Sequence, residues 1–252
     1  MSKTFVVLPT YNEIENLQKI VEAIFYHLPH THLLIVDDNS PDGTGKIADQ
    51  LASEKPEQIF VLHRLKKEGL GRAYLAGFKR VLELGAEIII QMDADFSHPP
   101  SLLPLMIKEL AQVDFVLPSR YIKNGGTQNW GVLRQIISRG GNLYARLVLK
   151  SPVHDLTGGF KAFRRPVLEY LLSCPIQANG YSFQIEMTTR ALQKGFHFKE
   201  IPFIFVDRED GKSKMSKKIV FEALFKTYRL RKELLQKKTL TLSSVLLQEN
   251  KR

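Results

Sequence analysis

Cysteine is nearly absent. Cys174 is the only one among 252 residues, so no internal disulfide can form, which fits a reducing compartment. Long apolar runs are missing as well. Nothing approaches the roughly 20 residues that a membrane-crossing helix requires, and the longest apolar stretches have the length of core strands. No cleavable leader is visible, since residues 1–9 run straight into the strand-like Thr4-Phe5-Val6-Val7-Leu8. There is no repeat, no low-complexity linker and no Ser-His or Cys-His arrangement of the kind that makes a protein nucleophile. Acidic charge is in deficit: 26 Asp and Glu stand against 36 Lys and Arg, a net charge of +10. The excess gathers in the second half, most densely over 208–238. Such an excess suits nucleic acid, an anionic membrane or a phosphorylated ligand. No nucleic-acid recognition motif accompanies it, so the expected partner of the second half is anionic but not a nucleic acid. A basic nucleic-acid module or a scaffold without turnover is the rival class.

What is present is a strand–helix alternation. Hydrophobic residues make up 44% of the chain, enough for one large α/β core or two small domains. Strands are expected at 4–8, 32–36, 59–63 and 87–92. Helices are expected at 13–26, with Asn12 as N-cap, and at 45–52 and 70–84. The alternation argues for a Rossmann-like, mostly parallel sheet flanked by helices. A helix at 102–110 and a strand at 114–118 follow. Two amphipathic segments come later, 130–150 and 216–236. The first is interrupted by Gly140-Gly141, which points to a close contact or a bend; the second puts Phe221, Leu224, Phe225, Tyr228 and Leu235 on one face. A catalytic domain over 1–230, including these segments, and a basic, mobile tail over 237–252 are the expected division.

Sheets of this kind bind ligands beyond the carboxyl ends of their strands. Three polar clusters fall there: Pro9-Thr10-Tyr11-Asn12-Glu13, Asp37 to Thr44, and Asp93-Ala94-Asp95. Residues i and i+2 of a strand face the same side, so Asp93 and Asp95 can reach one ion. Mg²⁺ or Mn²⁺ prefers such oxygen ligands and shares its shell with substrate phosphates. Asp38 is a candidate acceptor for a base or ribose, although the Asp37 to Thr44 stretch also reads simply as a turn. Arg134, Arg139 and Arg146 form either a solvated face or contacts to headgroups or an acceptor phosphate, with Arg134 and Ser138 the favoured pair. His98 and His154 read as structural. Asp155 either caps a loop or orients an Arg or the acceptor.

These clusters together resemble the family 2 inverting glycosyltransferases of GT-A fold. Further motifs narrow the resemblance to dolichol-phosphate (polyprenol-phosphate) mannose synthases: Ser97-His98-Pro99, Ser119-Arg120-Tyr121, Asp155-Leu156-Thr157-Gly158-Gly159-Phe160-Lys161-Ala162, Gly180-Tyr181-Ser182-Phe183-Gln184-Ile185-Glu186 and Arg208-Glu209-Asp210-Gly211 with Ser213-Lys214-Met215. The resemblance spans about 4–230. It implies that Pro9, Tyr11, Glu13, Val36 and Asp38 line a GDP site and that Asp93, Ala94 and Asp95 meet the diphosphate and a Mg²⁺ or Mn²⁺ ion. Arg120 would neutralise the diphosphate. Arg208 and Lys214 would hold the acceptor phosphate or close over the donor, and Asp93, Asp95, Arg120 and Asp155 would form the catalytic set. Some relatives carry Gln where this chain has Ser97, so a third protein ligand is in doubt. The implied reaction moves mannose from GDP-mannose to a dolichyl or polyprenyl phosphate. UDP-glucose is the alternative donor.

The acceptor of such a reaction has its tail in a bilayer. The amphipathic segments 130–150 and 216–236 join apolar stripes to Lys and Arg, as interfacial helices do. Peripheral attachment to the cytoplasmic face of a membrane is therefore expected. Some relatives recruit a small membrane subunit, so that partner stays open.

Overall fold

The computed structural model describes residues 2–176, 178, 180–206, 224–234 and 236. Four strands form its first half: β1 (Thr4–Thr10), β2 (His32–Asp37), β3 (Ile59–His63) and β4 (Ile88–Gln91). Between them run α1 (Leu17–His27), α2 (Thr44–Glu54) and α3 (Leu70–Glu83). After β4 come a 3₁₀ turn at Pro100–Leu102, α4 (Leu103–Glu109), β5 (Phe115–Ser119), β6 (Gly126–Gln128) and α5 (Val132–Leu149). Then follow β7 (Lys161–Arg164), α6 (Arg165–Ser173), α7 (Gly180–Lys194), β8 (Phe198–Pro202) and β9 (Ile204–Val206). Residues 224–234 are helical.

Seven strands make one sheet in the order β3-β2-β1-β4-β7-β5-β8. The first four are parallel, as the apolar runs with intervening helices demand. β7 is antiparallel to both its neighbours, while β5 and β8 are parallel. β6 and β9 pair separately. Because the parallel strands are buried on both faces, their side chains divide between two cores. Phe5, Val7, Leu34, Val36 and Ile89 pack under α3, α6 and α7. Val6, Leu8, Leu33, Ile35 and Ile90 pack under α1, α2 and α4. On the first face Gly77 lets α3 lie against the sheet: a Cβ there would come within 2.6 Å of Val7 Cγ1 and 3.0 Å of Val36 Cγ2.

Two local expectations change. The first helix begins at Leu17, and Asn12 is not its cap; it sits in the left-handed region at φ 59°. The Ile14 amide, which a capping Asn12 could have served, donates instead to Asp42 Oδ2 of the next loop, and the Glu13 amide donates to Thr44 Oγ1. α5 runs unbroken through Gly140 and Gly141, and among the described residues a Cβ at either would meet nothing within 4 Å. Among the described residues no close contact accounts for them. In 224–234 the inward residues are Leu230 and Leu234, while Phe225 and Tyr228 are 67% and 60% exposed and Leu224 is half-buried. Leu230 and Leu234 join the core and Arg190 Nη2 meets Glu233 at 3.1 Å, which sets the rotation of the segment. Phe221, Leu235 and the 237–252 tail lie outside the described residues.

Candidate active site

The exits of β1, β2 and β4 lie side by side. Thr10 is in register with Asp37, and Asp38 N–H donates to Thr10 O at 3.1 Å. The β1 loop is stapled to the β2 loop by backbone amides: Asn12 donates to Ser40 Oγ, Glu13 to Thr44 Oγ1, Ile14 to Asp42 Oδ2. Asp42 Oδ1 also accepts from Thr44 N–H and Oγ1–H. Burial works to raise the Asp42 pKa, but these bonds outweigh it and hold the carboxyl below its usual value. Each of the three exits turns through a non-glycine residue at positive φ: Asn12 at 59°, Asn39 at 59° and Phe96 at 61°. Asn tolerates this region and an aromatic residue rarely does. The Phe96 turn follows directly after Asp95.

Asp38 is buried, and Arg64 Nη1 donates to its Oδ1 at 2.5 Å. Burial raises the Asp38 pKa against the pull of that guanidinium. Arg64 also reaches Glu68. Lys67 lies 3.5 Å over the Tyr11 ring, and Glu13 accepts from Asn16 Nδ2. The Tyr11–Asp38 end of the site thus carries two cations, Arg64 and Lys67, that motif reading did not single out. Pro9 stands opposite Val36 in register, and Val36 itself is wholly buried against Val7 and Gly77.

Asp93 and Asp95 follow β4. Tyr74 Oη donates to Asp93 Oδ1 at 2.6 Å, and Asp93 N–H donates to His98 Nδ1 at 2.9 Å. Tyr74 is wholly buried, stacked between Phe78 and Phe183. Burial and the adjacent Asp93 charge push its pKa well above the usual value. His98 is buried, stacks on Phe160, and lies so near Gly159 that a Cβ there would come within 3.3 Å of its Cε1. Burial lowers its pKa, so Nδ1 keeps its lone pair for Asp93 and the neutral ring carries its proton on Nε2. The charges of Asp93, Asp95, Arg120 and Asp155 all act on this one imidazole, which locates the four groups around it. Asp95 Oδ1 accepts the Ser97 amide at 3.0 Å. Among the described residues no group of three or more His, Cys, Asp or Glu is assembled for a metal. Two hard oxygen donors, with the remaining positions left to phosphate and water, suit Mg²⁺ or Mn²⁺ better than a closed protein cage would.

Arg120 and Asp155 form a buried, two-pronged pair. Arg120 Nε and Nη2 donate to the two carboxylate oxygens at 2.7 Å each, and the Arg120 amide adds a third bond at 3.1 Å. Burial opposes ionisation of Asp155, but Arg120 wins and keeps its pKa low. Thr157 Oγ1 accepts from Arg120 Nη2 and from Asn142 Nδ2, and Asn142 Oδ1 accepts the Leu156 amide. This settles between the two readings of Asp155: it orients an arginine. Arg120 also faces the rings of Tyr121 and Trp130, with Cζ 5.2 and 5.6 Å from their centroids. Arg134 lies 4.1 Å over the same Trp130 ring, and Ser138 Oγ bonds to Tyr121 Oη at 2.7 Å. Arg120, Arg134 and Ser138 are therefore gathered about Tyr121 and Trp130. Arg208 and Lys214 lie outside the described residues. Tyr74, Arg64 and Lys67 escaped sequence reading because each lies on the helix or loop behind a motif, with only an i to i+4 apolar stripe or a charge run as signal.

Residues 5–172 match the family described as Glycosyl transferase family 2. A polyprenol monophosphomannose synthase of Mycolicibacterium smegmatis is 44% identical over 225 residues, 89% of this chain and 85% of the relative. An undecaprenyl-phosphate mannosyltransferase of Micrococcus luteus is 42% identical over 227 residues, 90% of this chain and 93% of the relative. Among solved structures, glucosyl-3-phosphoglycerate synthase from Mycobacterium tuberculosis, in complex with Mn²⁺, UDP and phosphoglyceric acid, superimposes with a TM-score of 0.65 at 17% identity, covering 90% of this chain and 78% of that one. A mannosyltransferase from Pyrobaculum calidifontis in complex with GDP-Man and Mn²⁺ gives 0.56 at 16% identity, covering 98% and 79%. At these identities the structural likeness shows the fold, which is of GT-A type.

Proposed function

The chain belongs to glycosyltransferase family 2, and we propose that it moves mannose from GDP-mannose to a dolichyl or other polyprenyl phosphate with inversion at the anomeric carbon. The observation that carries this reading is the 44% identity, over 89% of the chain, to a relative named for mannosyl transfer to polyprenol. The geometry is consistent with it in three respects.

First, the acceptor is its own nucleophile. A phosphomonoester has a second pKa near 6 and is mostly dianionic at pH 7, so no strong base is needed. Two of the described carboxylates are already committed: Asp155 to Arg120 and Asp38 to Arg64. Second, the hard step is departure of the diphosphate. Asp93 and Asp95 would hold Mg²⁺ or Mn²⁺, which supplies Lewis-acid stabilisation of the leaving diphosphate. Tyr74 and His98 fix the side chain and the backbone of Asp93 before any ligand arrives. Third, bringing a dianion beside a diphosphate costs Coulomb energy. Arg120 has its fork held still by Asp155, Arg134 shares the Trp130 ring with it, and Arg208 and Lys214 are assigned the same task by family resemblance.

No helix among the described residues is long and apolar enough to cross a membrane. α5 instead exposes Val132, Leu133, Ile136, Leu143 and Leu147, from 54% to 73% each. Phe225 and Tyr228 of the 224–234 helix are exposed in the same way. These faces fit peripheral attachment, with the site opening toward the cytoplasmic surface where a lipid phosphate would be met. The test is a radiolabel transfer assay to a short-chain polyprenyl phosphate. GDP-mannose, UDP-glucose and UDP-N-acetylglucosamine are offered in parallel, each with Mg²⁺, Mn²⁺ or chelator. Metal-dependent transfer from GDP-mannose is expected. Transfer from a UDP-sugar alone would overturn the donor, and full turnover in chelator would overturn the metal.

A further inference from the structure

A cavity of about 350 Å³ opens beside Arg120 and Tyr121 on the flank of α5, next to Ser138, which bonds Tyr121 and Asn142 of its lining. Arg139 and Arg146, two turns apart on the helix, line it together with Tyr121, Asn142 and His154. Its composition is unbalanced. Asp155 and Glu200, the carboxylates bonded to its Arg120 and His154, are already taken: Asp155 by Arg120, and Glu200 by His154 Nδ1 at 2.8 Å and by the amides of His154 and Asp155. Among the described residues neither Arg139 nor Arg146 has a carboxylate partner, and Arg146 Nε is buried without a hydrogen-bond partner. A buried donor without a partner is costly unless a ligand supplies the acceptor. Leu143, which stands at the rim between the two arginines, is 54% exposed and continues into the apolar face of α5. The cavity therefore lies at the boundary between an apolar helix face and a cationic flank.

We propose that the Arg139–Arg146 side of this cavity is a phosphate-binding site, neighbouring the acceptor position at Arg134 and Ser138 without using either residue, that takes the headgroup phosphate of an anionic phospholipid. Guanidinium forks match phosphate oxygens in a way that a point charge does not. With the apolar face of α5 in the acyl boundary, the two forks would lie at headgroup depth. Occupancy would seat the helix at one height and one rotation, bringing Arg120 to the membrane surface in a fixed orientation.

The test reads binding without turnover, so it stands apart from the identity of the sugar. Sedimentation with phosphatidylcholine vesicles, with and without phosphatidylglycerol, is compared for the wild type, R139Q/R146Q, R139K/R146K and K46Q/K108Q. The last pair removes two exposed cations from other faces. GDP binding and thermal unfolding verify that each variant is folded. The expectation is a loss of about thirtyfold in phosphatidylglycerol-dependent association for R139Q/R146Q, partial recovery with the lysine pair, and little change for K46Q/K108Q. Titration with inorganic phosphate distinguishes the sources: phosphate binding that disappears in R139Q/R146Q while vesicle binding is kept would support the site with a soluble occupant. Equal losses in both glutamine pairs would reduce the effect to general charge and overturn the proposal. So would a matching fall in transfer to detergent-dispersed polyprenyl phosphate, because the cavity would then belong to the acceptor site.

Discussion

Tyr74 and Asp93 meet at 2.6 Å across the floor of the site, the tyrosine donating to Oδ1 from a fully buried position on α3. The bond gives the two carboxylates of Asp93-Ala94-Asp95 different surroundings: Asp93 is held from beneath by a side chain, Asp95 by the amide of Ser97.

Tyr74→Phe should leave the stacking on Phe78 and Phe183 intact and release Asp93. A hydrogen bond to a charged group contributes about 1.5–3 kcal/mol. The affinity for Mn²⁺ with GDP should fall by roughly one to two orders of magnitude, as read by Mn²⁺ electron paramagnetic resonance. Unchanged Mn²⁺ affinity would mean that Asp93 is oriented by His98 and its backbone alone.

Asp155→Asn should be among the most damaging single changes. It leaves the Arg120 guanidinium buried without its counter-charge, a loss of about 3–5 kcal/mol, measurable by urea unfolding. The Asp155 pKa is below that of an unfolded carboxylate. Its contribution is therefore fully present above the unfolded value of about 3.9 and is lost as pH falls through the lower, folded value. The wild-type protein should lose stability in acid more steeply than Asp155→Asn does.

Lys161 carries a different pH signature. Burial lowers its pKa from 10.5 to about 7, while Nζ donates to Gln184 O and Oε1 at 3.0 and 2.9 Å. Between those two pH values the unfolded chain holds the proton and the folded chain has released it, so unfolding takes up a proton and stability rises with pH across that window. Below about 7 both states are protonated and this contribution is flat. Lys161→Met should remove the slope. An unaltered slope in the variant would assign it to other groups.

Gly140→Ala and Gly141→Ala should each stabilise the protein by up to about 1 kcal/mol, since α5 is regular there and a methyl group meets nothing among the described residues. Thermal melts decide it. A loss of stability, or a loss of activity at constant stability, would show that the two glycines serve a contact made only with ligand or membrane.

Leu133→Glu with Leu147→Glu should abolish vesicle sedimentation and leave GDP binding and the melting temperature unchanged, because both side chains are about 70% exposed. Retained sedimentation would shift the attachment to the 224–234 helix or beyond it.

Much of the first half was legible in the chain. Strands such as Ile59–His63 are short apolar blocks, and the parallel order follows from the helices between them. The polar clusters at 9–13, 37–44 and 93–95 converge because parallel strands end at one edge. Tertiary capture obscured the rest. Asn12 has the composition of a cap, but Asp42 took the Ile14 amide that a cap would have bonded. Arg120 and Asp155 are separated by 35 positions, and nothing local announces that one neutralises the other. In 224–234 Phe225 and Tyr228 of the expected stripe are exposed, while the core contact comes from Leu230 and Leu234, which lie outside it.

β7 runs against both β4 and β5. Its beginning, Lys161, stands beside Gln91 at the end of β4, so the loop that enters β7 lies where the other strands send out loops. The reversed strand is a seam. On one side lies the chain from Pro9 to Asp95, with its two aspartates after β4; on the other lies Arg120 to Lys161, with the Arg120–Asp155 pair. His98 stands next to Gly159 between them. On the proposed reading, exchanging the second stretch for that of a relative with another acceptor would measure how far the choice of recipient is carried by a single segment.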